Sequence, residues 1–131
     1  MQVTSMKKTA PKANPAPPRR SICPVANTLD RVGDKWSLLL VRDMLAGKTT
    51  YGQFLESPEG IPTNILADRL KRLEQFGIIA RSAYQERPVR YAYTLTTEGR
   101  QLQRVLGALA DWGLENIAGT KKKLGPGSFV R

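Results

Sequence analysis

Periodic apolar positions begin only after residue 22. Residues 7–20, KKTAPKANPAPPRR, have no apolar face, and their proline, alanine and basic content reads as disordered. Order is expected from Cys23-Pro24, because proline suits the first helical position; Cys23 caps a short helix through Arg31, and Gly33 breaks it. KWSLLLVRDMLAG (35–47) reads as a mostly buried helix, with Trp36, Leu39, Leu40 and Met44 in the core and Gly47 at its end. Thr49 or Thr50 caps a third, short helix, TYGQFLE, and SPEG (57–60) is turn chemistry.

The stretch IPTNILADRLKRLEQFG (61–77) has two unlike faces. Leu66, Leu70, Leu73 and Gly77 fall on one side of a helix, with Ile65 and Phe76 at its margin and Pro62 in its first turn. Asn64, Ala67, Asp68, Lys71 and Gln75 fall on the other. GIIARSAY (77–84) and RYAYTLT (90–96) are rich in β-branched and aromatic residues and form a hairpin whose tip is QERP. Thr96 then caps a final helix to about Ala118, along which Leu102, Val105, Leu109 and Trp112 recur at three and four. Helix, helix, short helix, tight turn, helix, hairpin, helix is the order of a winged helix-turn-helix: mainly α, with a small β-hairpin wing. The expected organisation is a basic tail at 1–22, the winged domain with its last helix at 23–119, and a second basic tail at 120–131.

Length and composition narrow the class. At 131 residues the chain is one domain with tails. One cysteine, Cys23, allows no intrachain disulfide and points to a reducing compartment. No signal-peptide pattern is present, and the longest apolar run, LLLV at 38–41, is too short for a membrane span. A cytosolic protein is the expectation. The formal charge is +10, yet residues 1–22 hold +5 and residues 121–131 hold +4. The remaining 98 residues carry 12 bases and 11 acids, with their positive excess in 61–104, around the two-faced helix. That location makes double-stranded DNA the expected partner.

Enzyme chemistry has little to work with. There is no histidine, which removes histidine triads and histidine-ligated zinc, and one cysteine cannot build a cysteine-rich metal site. No glycine-rich phosphate loop or carboxylate pair stands out, so the reading is a non-enzyme without cofactor or metal.

Three segments are similar to the HxlR-type transcriptional regulators, a branch related to MarR-like proteins: CPVANTLDRVGDKWSLLLVRDML, GIPTNILADRLKRLEQFGII and RPVRYAYTLTTEG. The resemblance runs from about Cys23 to Gly119. It rests on the Cys-Pro start, Gly-x-Lys-Trp at 33–36, Leu-x-x-Arg-Leu at 66–70, Pro-x-Arg-Tyr at 88–91 and Leu-Thr-x-x-Gly at 95–99. It implies a bacterial DNA-binding repressor or activator, dimeric through its first and last helices. Departures are Pro62 where the family often has Ser, Thr50 where it often has Arg, and Asp34 in place of a common Gly.

The candidate site follows. Asn64 and Lys71 centre the polar face of the two-faced helix, with Thr63 in its first turn. Asparagine pairs with adenine and lysine donates to guanine in a major groove; the plainer reading is a solvated face. Asp68 is set either to pair with Arg72 or to accept from a cytosine amine. Arg69 faces the body and reads as the ion-pair partner of an acid on an earlier helix, while Arg72 reaches a phosphate. At the hairpin tip, Arg87 and Arg90 suit the adjoining minor groove or its phosphates. Lys48, Thr49, Thr50 and Tyr51 offer hydroxyls and helix-start amides to a phosphate. The stripe Leu102, Val105, Leu109, Trp112 exceeds what one small core needs covered and reads as a two-fold homodimer contact. Cys23 lies at a helix start beside Arg19 and Arg20, a setting that favours thiolate chemistry. It reads either as a sensor, with an oxidant or small molecule as inducer, or as an inert thiol. The rival function is a winged protein-interaction module that reads no DNA.

Overall fold

A computed structural model describes residues 19–121. Its order is α1 (Pro24–Val32), α2 (Ser37–Leu45), α3 (Tyr51–Leu55), α4 (Thr63–Gln75), β1 (Ile79–Glu86), β2 (Val89–Leu95), α5 (Thr97–Arg100) and α6 (Gln103–Asn116). The expected mainly helical fold with a hairpin wing is what is found. Residues 1–18 and 122–131, most of the two expected tails, lie outside the described residues. The last part of the N-terminal tail is already tied down: Arg20 pairs with Asp30 at 2.7 Å, and Asn27 donates to the Ser21 carbonyl.

The core is the meeting of α2, α3, α4 and the base of the hairpin. Leu40, Val41, Phe54, Leu66, Leu70, Leu73, Ile79, Leu95 and Leu106 are all buried in it. From α4 it receives Leu66, Leu70 and Leu73, the spacing that separates the helix's two faces. Gly77 then closes α4: at φ +77° it lets Ile78 N–H reach the Leu73 carbonyl and its own N–H reach the Glu74 carbonyl. The hairpin pairs Ile79 with Leu95 and Arg81 with Tyr93, then slips by one residue at a bulge around Tyr84, so that Gln85 faces Arg90. Tyr93 N–H donates to the Thr49 carbonyl and ties the hairpin to the start of α3.

Several boundaries differ from the sequence expectation. Pro62 is the N-cap of α4 and not part of its first turn, and no side chain caps that helix. The last helix is not continuous. Thr96 caps α5 by accepting from Gly99 N–H, and the next turn is held by three-residue bonds such as Leu102 N–H to the Gly99 carbonyl, before α6 begins at Gln103. The start of α5 is tied closely to the end of the α4–β1 connection. The Ile78 carbonyl accepts from Thr96 N–H and Oγ1, and a Cβ at Gly99 would lie 2.1 Å from that same carbonyl oxygen. The Leu-Thr-x-x-Gly pattern is thus a joint between the wing and the C-terminal helices.

A polar cluster fixes the helix-turn-helix from behind. Asp43 and Ser57 are only 5 % and 8 % exposed. Ser57 Oγ donates to Asp43 at 2.6 Å, Lys48 Nζ donates to Ser57, and Arg42 reaches both Asp43 and Glu59 at 2.8 Å. A buried carboxylate is costly unless so satisfied. The hydrogen bond to Glu59 holds the Arg42 guanidinium firmly protonated, and the same bond lowers the Glu59 carboxyl. The cluster joins the end of α2 to the turn that delivers α4.

From the other side, α4 is held by Asp34. This residue sits in the α1–α2 connection, accepts from the N–H groups of Trp36 and Ser37, and pairs with Arg69 at 2.8 Å. Arg69 therefore has its expected structural partner, supplied by a loop and not by an earlier helix. Burial opposes the Asp34 charge, but hydrogen bonds from Ser37, Arg69 and the Trp36 backbone outweigh it and bring the carboxyl from 3.8 down to about 2. A depressed carboxyl stabilises the fold above its unfolded value and loses that contribution as pH falls through the folded one. After allowance for partial solvent screening, Asp34→Asn should cost about 1–2 kcal/mol at neutral pH. The gap to the native protein should narrow as pH falls from about 4 toward 2, as measured by urea unfolding at several pH values. A gap that does not change with pH would show that the Asp34 charge contributes nothing.

Candidate nucleic-acid interface

Burial of its leucines turns the other face of α4 outward. Thr63, Asn64, Ala67, Asp68, Lys71 and Gln75 are all exposed. The side chains of Asn64 and Lys71 make no hydrogen bond or ion pair among the described residues. Asp68 does not pair with Arg72, one turn on; its carboxylate contacts Arg69, its neighbour, which already leans toward Asp34. Arg72 is half-buried and directed at α1, with a guanidinium nitrogen 3.5 Å from the Asp30 carbonyl. The outward cation of this helix is thus Lys71.

The start of α3 is more self-contained than its sequence implies. Thr50 is the cap, accepting from Gln53 N–H, while Gln53 Oε1 accepts from the N–H groups of both Thr49 and Thr50. Those two amides are therefore not free for a phosphate. Lys48, also placed at this end by the sequence, is directed into the Ser57–Asp43 cluster. What remains available is the first-turn amides of Tyr51 and Gly52, the Tyr51 ring and the cleft beside it.

That cleft lies between α3 and the wing and has a volume of about 450 Å³. Thr50, Tyr51, Tyr84, Val89, Arg90 and Tyr91 line it. The structure therefore brings Thr50, Tyr51 and Arg90 together, although they are far apart in sequence. Tyr51 and Tyr93 stack at a tilt with centroids 6.4 Å apart, and burial raises both phenols. Sequence reasoning overlooked these wing tyrosines as site residues. The available signal was the alternation in RYAYTLT, which sets Tyr91 and Tyr93 on one face. Arg87 stands exposed at the hairpin turn and, like Arg90, has no partner among the described residues.

At the far side of the molecule α6 exposes much of its stripe. Leu109 and Trp112 are 53 % and 62 % exposed, and Val105 and Ile117 are exposed with them. Leu102 differs: it is half-buried against the protomer's own core. On α1, Val25 and Leu29 are exposed as well. Cys23 is exposed at the N-cap of α1 with no side-chain capping bond, and Arg20 is directed at Asp30 and not at the thiol.

Among the described residues no group of acids, cysteines or histidines could hold a metal ion, and no helix is long and apolar enough to cross a membrane. The HxlR-like helix-turn-helix family matches residues 31–121. The chain is 39 % identical over 108 residues to the uncharacterized HTH-type transcriptional regulator sll1512 of Synechocystis, covering 79 % of this chain and 80 % of that one. It is 36 % identical over 91 residues to the uncharacterized HTH-type transcriptional regulator YdeP of Bacillus subtilis, covering 70 % and 71 %. Among solved structures, the redox regulator HypR in its oxidized form superposes with a TM-score of 0.65 at 35 % identity, over 72 % of this chain and 97 % of that one. The reduced form of the transcriptional regulator YodB from B. subtilis gives 0.62 at 29 % identity, over 77 % and 100 %.

Proposed function

Because the chain belongs to the HxlR-like helix-turn-helix family and is a DNA-binding transcriptional regulator, we propose that it works as a homodimer that reads a pseudo-palindromic operator. The observation that carries this reading is the outward face of α4, exposed and without partners at Asn64 and Lys71, beside a wing with unpaired Arg87 and Arg90. In the proposal, α4 enters a major groove, where Asn64 and Lys71, helped by Thr63, meet base edges. Arg90 and Arg87 lie on the neighbouring minor groove or its phosphates. Thr49, Thr50 and Tyr51 border the sugar-phosphate strand between them, and Arg72 braces α4 against α1. A protein-interaction module would call for an acidic or apolar α4 face and a bare wing, neither of which fits these residues.

The dimer rests on α6 and α1, whose exposed Val105, Leu109, Trp112, Val25 and Leu29 leave an apolar surface that a two-fold partner would cover. Cys23 lies at the start of α1. We assign it a regulatory role, by analogy with the described redox regulator HypR. With no second cysteine in the chain, its oxidation yields a sulfenate, a mixed disulfide with a small thiol, or a link to Cys23 of a second copy. Each would tilt α1 against its partner and change the separation of the two α4 helices.

Asn64→Ala and Lys71→Ala should each cost about 1–3 kcal/mol on DNA selected from a random pool and blur preference at particular base pairs, whereas Arg90→Ala should weaken all sequences alike. Salt-titrated anisotropy measures this, and equal losses on selected and random DNA for all three would remove Asn64 and Lys71 from base readout. Replacing Leu109 and Trp112 with polar residues should give monomers that lose DNA affinity together with dimerisation. Sedimentation reads the first effect, and a native protein that is monomeric at micromolar concentration would end this architecture. Peroxide or diamide should lower DNA affinity of the native protein and leave Cys23→Ser unaffected; identical responses of the two would make Cys23 a structural thiol.

A further inference from the structure

The wing has few contacts to hold its direction. Beyond Ile79, every residue of β1 is exposed except the half-buried Gln85. A two-stranded ribbon is marginal by itself and follows whatever fixes its base. On the β2 edge that base is held by Leu95, by the buried Tyr93 ring packed on Phe54 and Tyr51, and by the Tyr93 N–H bond to Thr49. On the other side stands Arg81. Its guanidinium lies 4.2 Å from the ring centroid of Tyr91 in β2 and 3.4 Å from the Glu74 carboxylate on the last turn of α4. It also faces Tyr93 across the hairpin. One side chain therefore touches both strands of the wing and the helix that reads DNA.

We propose that Arg81, held by Glu74 and stacked on Tyr91, is a positioning residue that sets the angle between the wing and α4. This rests on the reading of the wing as a DNA contact. Arg90 lies three residues beyond Tyr93, the cross-strand partner of Arg81, or about 10 Å farther out along the hairpin. A swing of about 10° at the base displaces it by about 2 Å, enough to break a hydrogen bond to a phosphate. Arg81 need not touch DNA itself. Its effect is to make the groove spacing between Lys71 and Arg90 fixed instead of variable.

The idea makes a prediction of unusual sign at Glu74. Removing an acid from the DNA-facing half of a protein ordinarily tightens binding, since it removes repulsion from phosphates. If Glu74 acts by holding Arg81, Glu74→Gln should weaken binding about three- to tenfold instead. Arg81→Gln should weaken it by a similar factor, and the double variant should be no worse than either single one. Hydroxyl-radical protection should fade at the wing's flanking positions in both variants, while methylation protection of guanines under α4 persists. Thermal melts confirm that each variant still unfolds cooperatively. Arg90→Ala, measured alongside, distinguishes a wing that does not touch DNA from an Arg81 that does not position it. If Arg90→Ala leaves affinity unchanged, the wing does not touch DNA, and both readings fall. If Arg90→Ala weakens binding but Glu74→Gln tightens it or leaves it unchanged, the wing reading stands and the positioning role of Arg81 is overturned. Additive losses from Arg81→Gln and Arg90→Ala, with a shallower salt slope for the first, would make Arg81 a direct phosphate contact and overturn it equally.

Discussion

The outward chemistry of this protein depends on three buried leucines. Leu66, Leu70 and Leu73 seat α4 against α2, α3 and the hairpin base. Burying each contributes about 1.5–3 kcal/mol. A rotation of the helix by one position, about 100°, would put Ala67, Lys71 and Glu74 in their places and bury a charge without a partner. The core thereby decides which residues face outward. Asn64 and Lys71 are available to a partner because the leucines leave them no other direction.

The remaining contacts secure that helix from several sides. Asp34 and Arg69 hold it to the α1–α2 connection, and the Asp43–Ser57–Lys48 cluster with Arg42 and Glu59 holds the turn before it. Gly77 ends it at the hairpin. These contacts also shape the electrostatics. The body is nearly neutral in count, yet Asp34, Asp43, Glu59, Asp68 and Glu74 are each bound to an arginine. With these five acids paired, Lys71, Arg87 and Arg90 are the unpaired cations of α4 and the wing among the described residues.

Much of this was legible in the residues. The three-and-four spacing of α4 fixed its faces, Thr50 and Thr96 marked helix starts, and the β-branched and aromatic runs located the hairpin. Periodicity reports which way a side chain faces but not what it meets. Ser57 and Asp43 lie fourteen positions apart and carry no pattern, so their buried bond was invisible. Nothing in the pattern marks Gln53, yet its side chain takes the Thr49 and Thr50 amides at the helix start expected to meet a phosphate. The close approach of the Ile78 carbonyl to Gly99 is a contact between distant segments, and the step between α5 and α6 interrupts what a local reading joins into one helix. Asp34 appeared only as a departure from a family pattern, and the fold gives it a capping and pairing role.

If a two-fold pair of α4 helices reads sequence, selection of bound fragments from a random DNA pool by the native protein, at physiological salt, should enrich an inverted repeat. Its half-site centres should lie about 10–10.5 base pairs apart, or a multiple of that spacing. A pool that stays random through successive rounds, or that converges on a single asymmetric site, would rule out such paired reading.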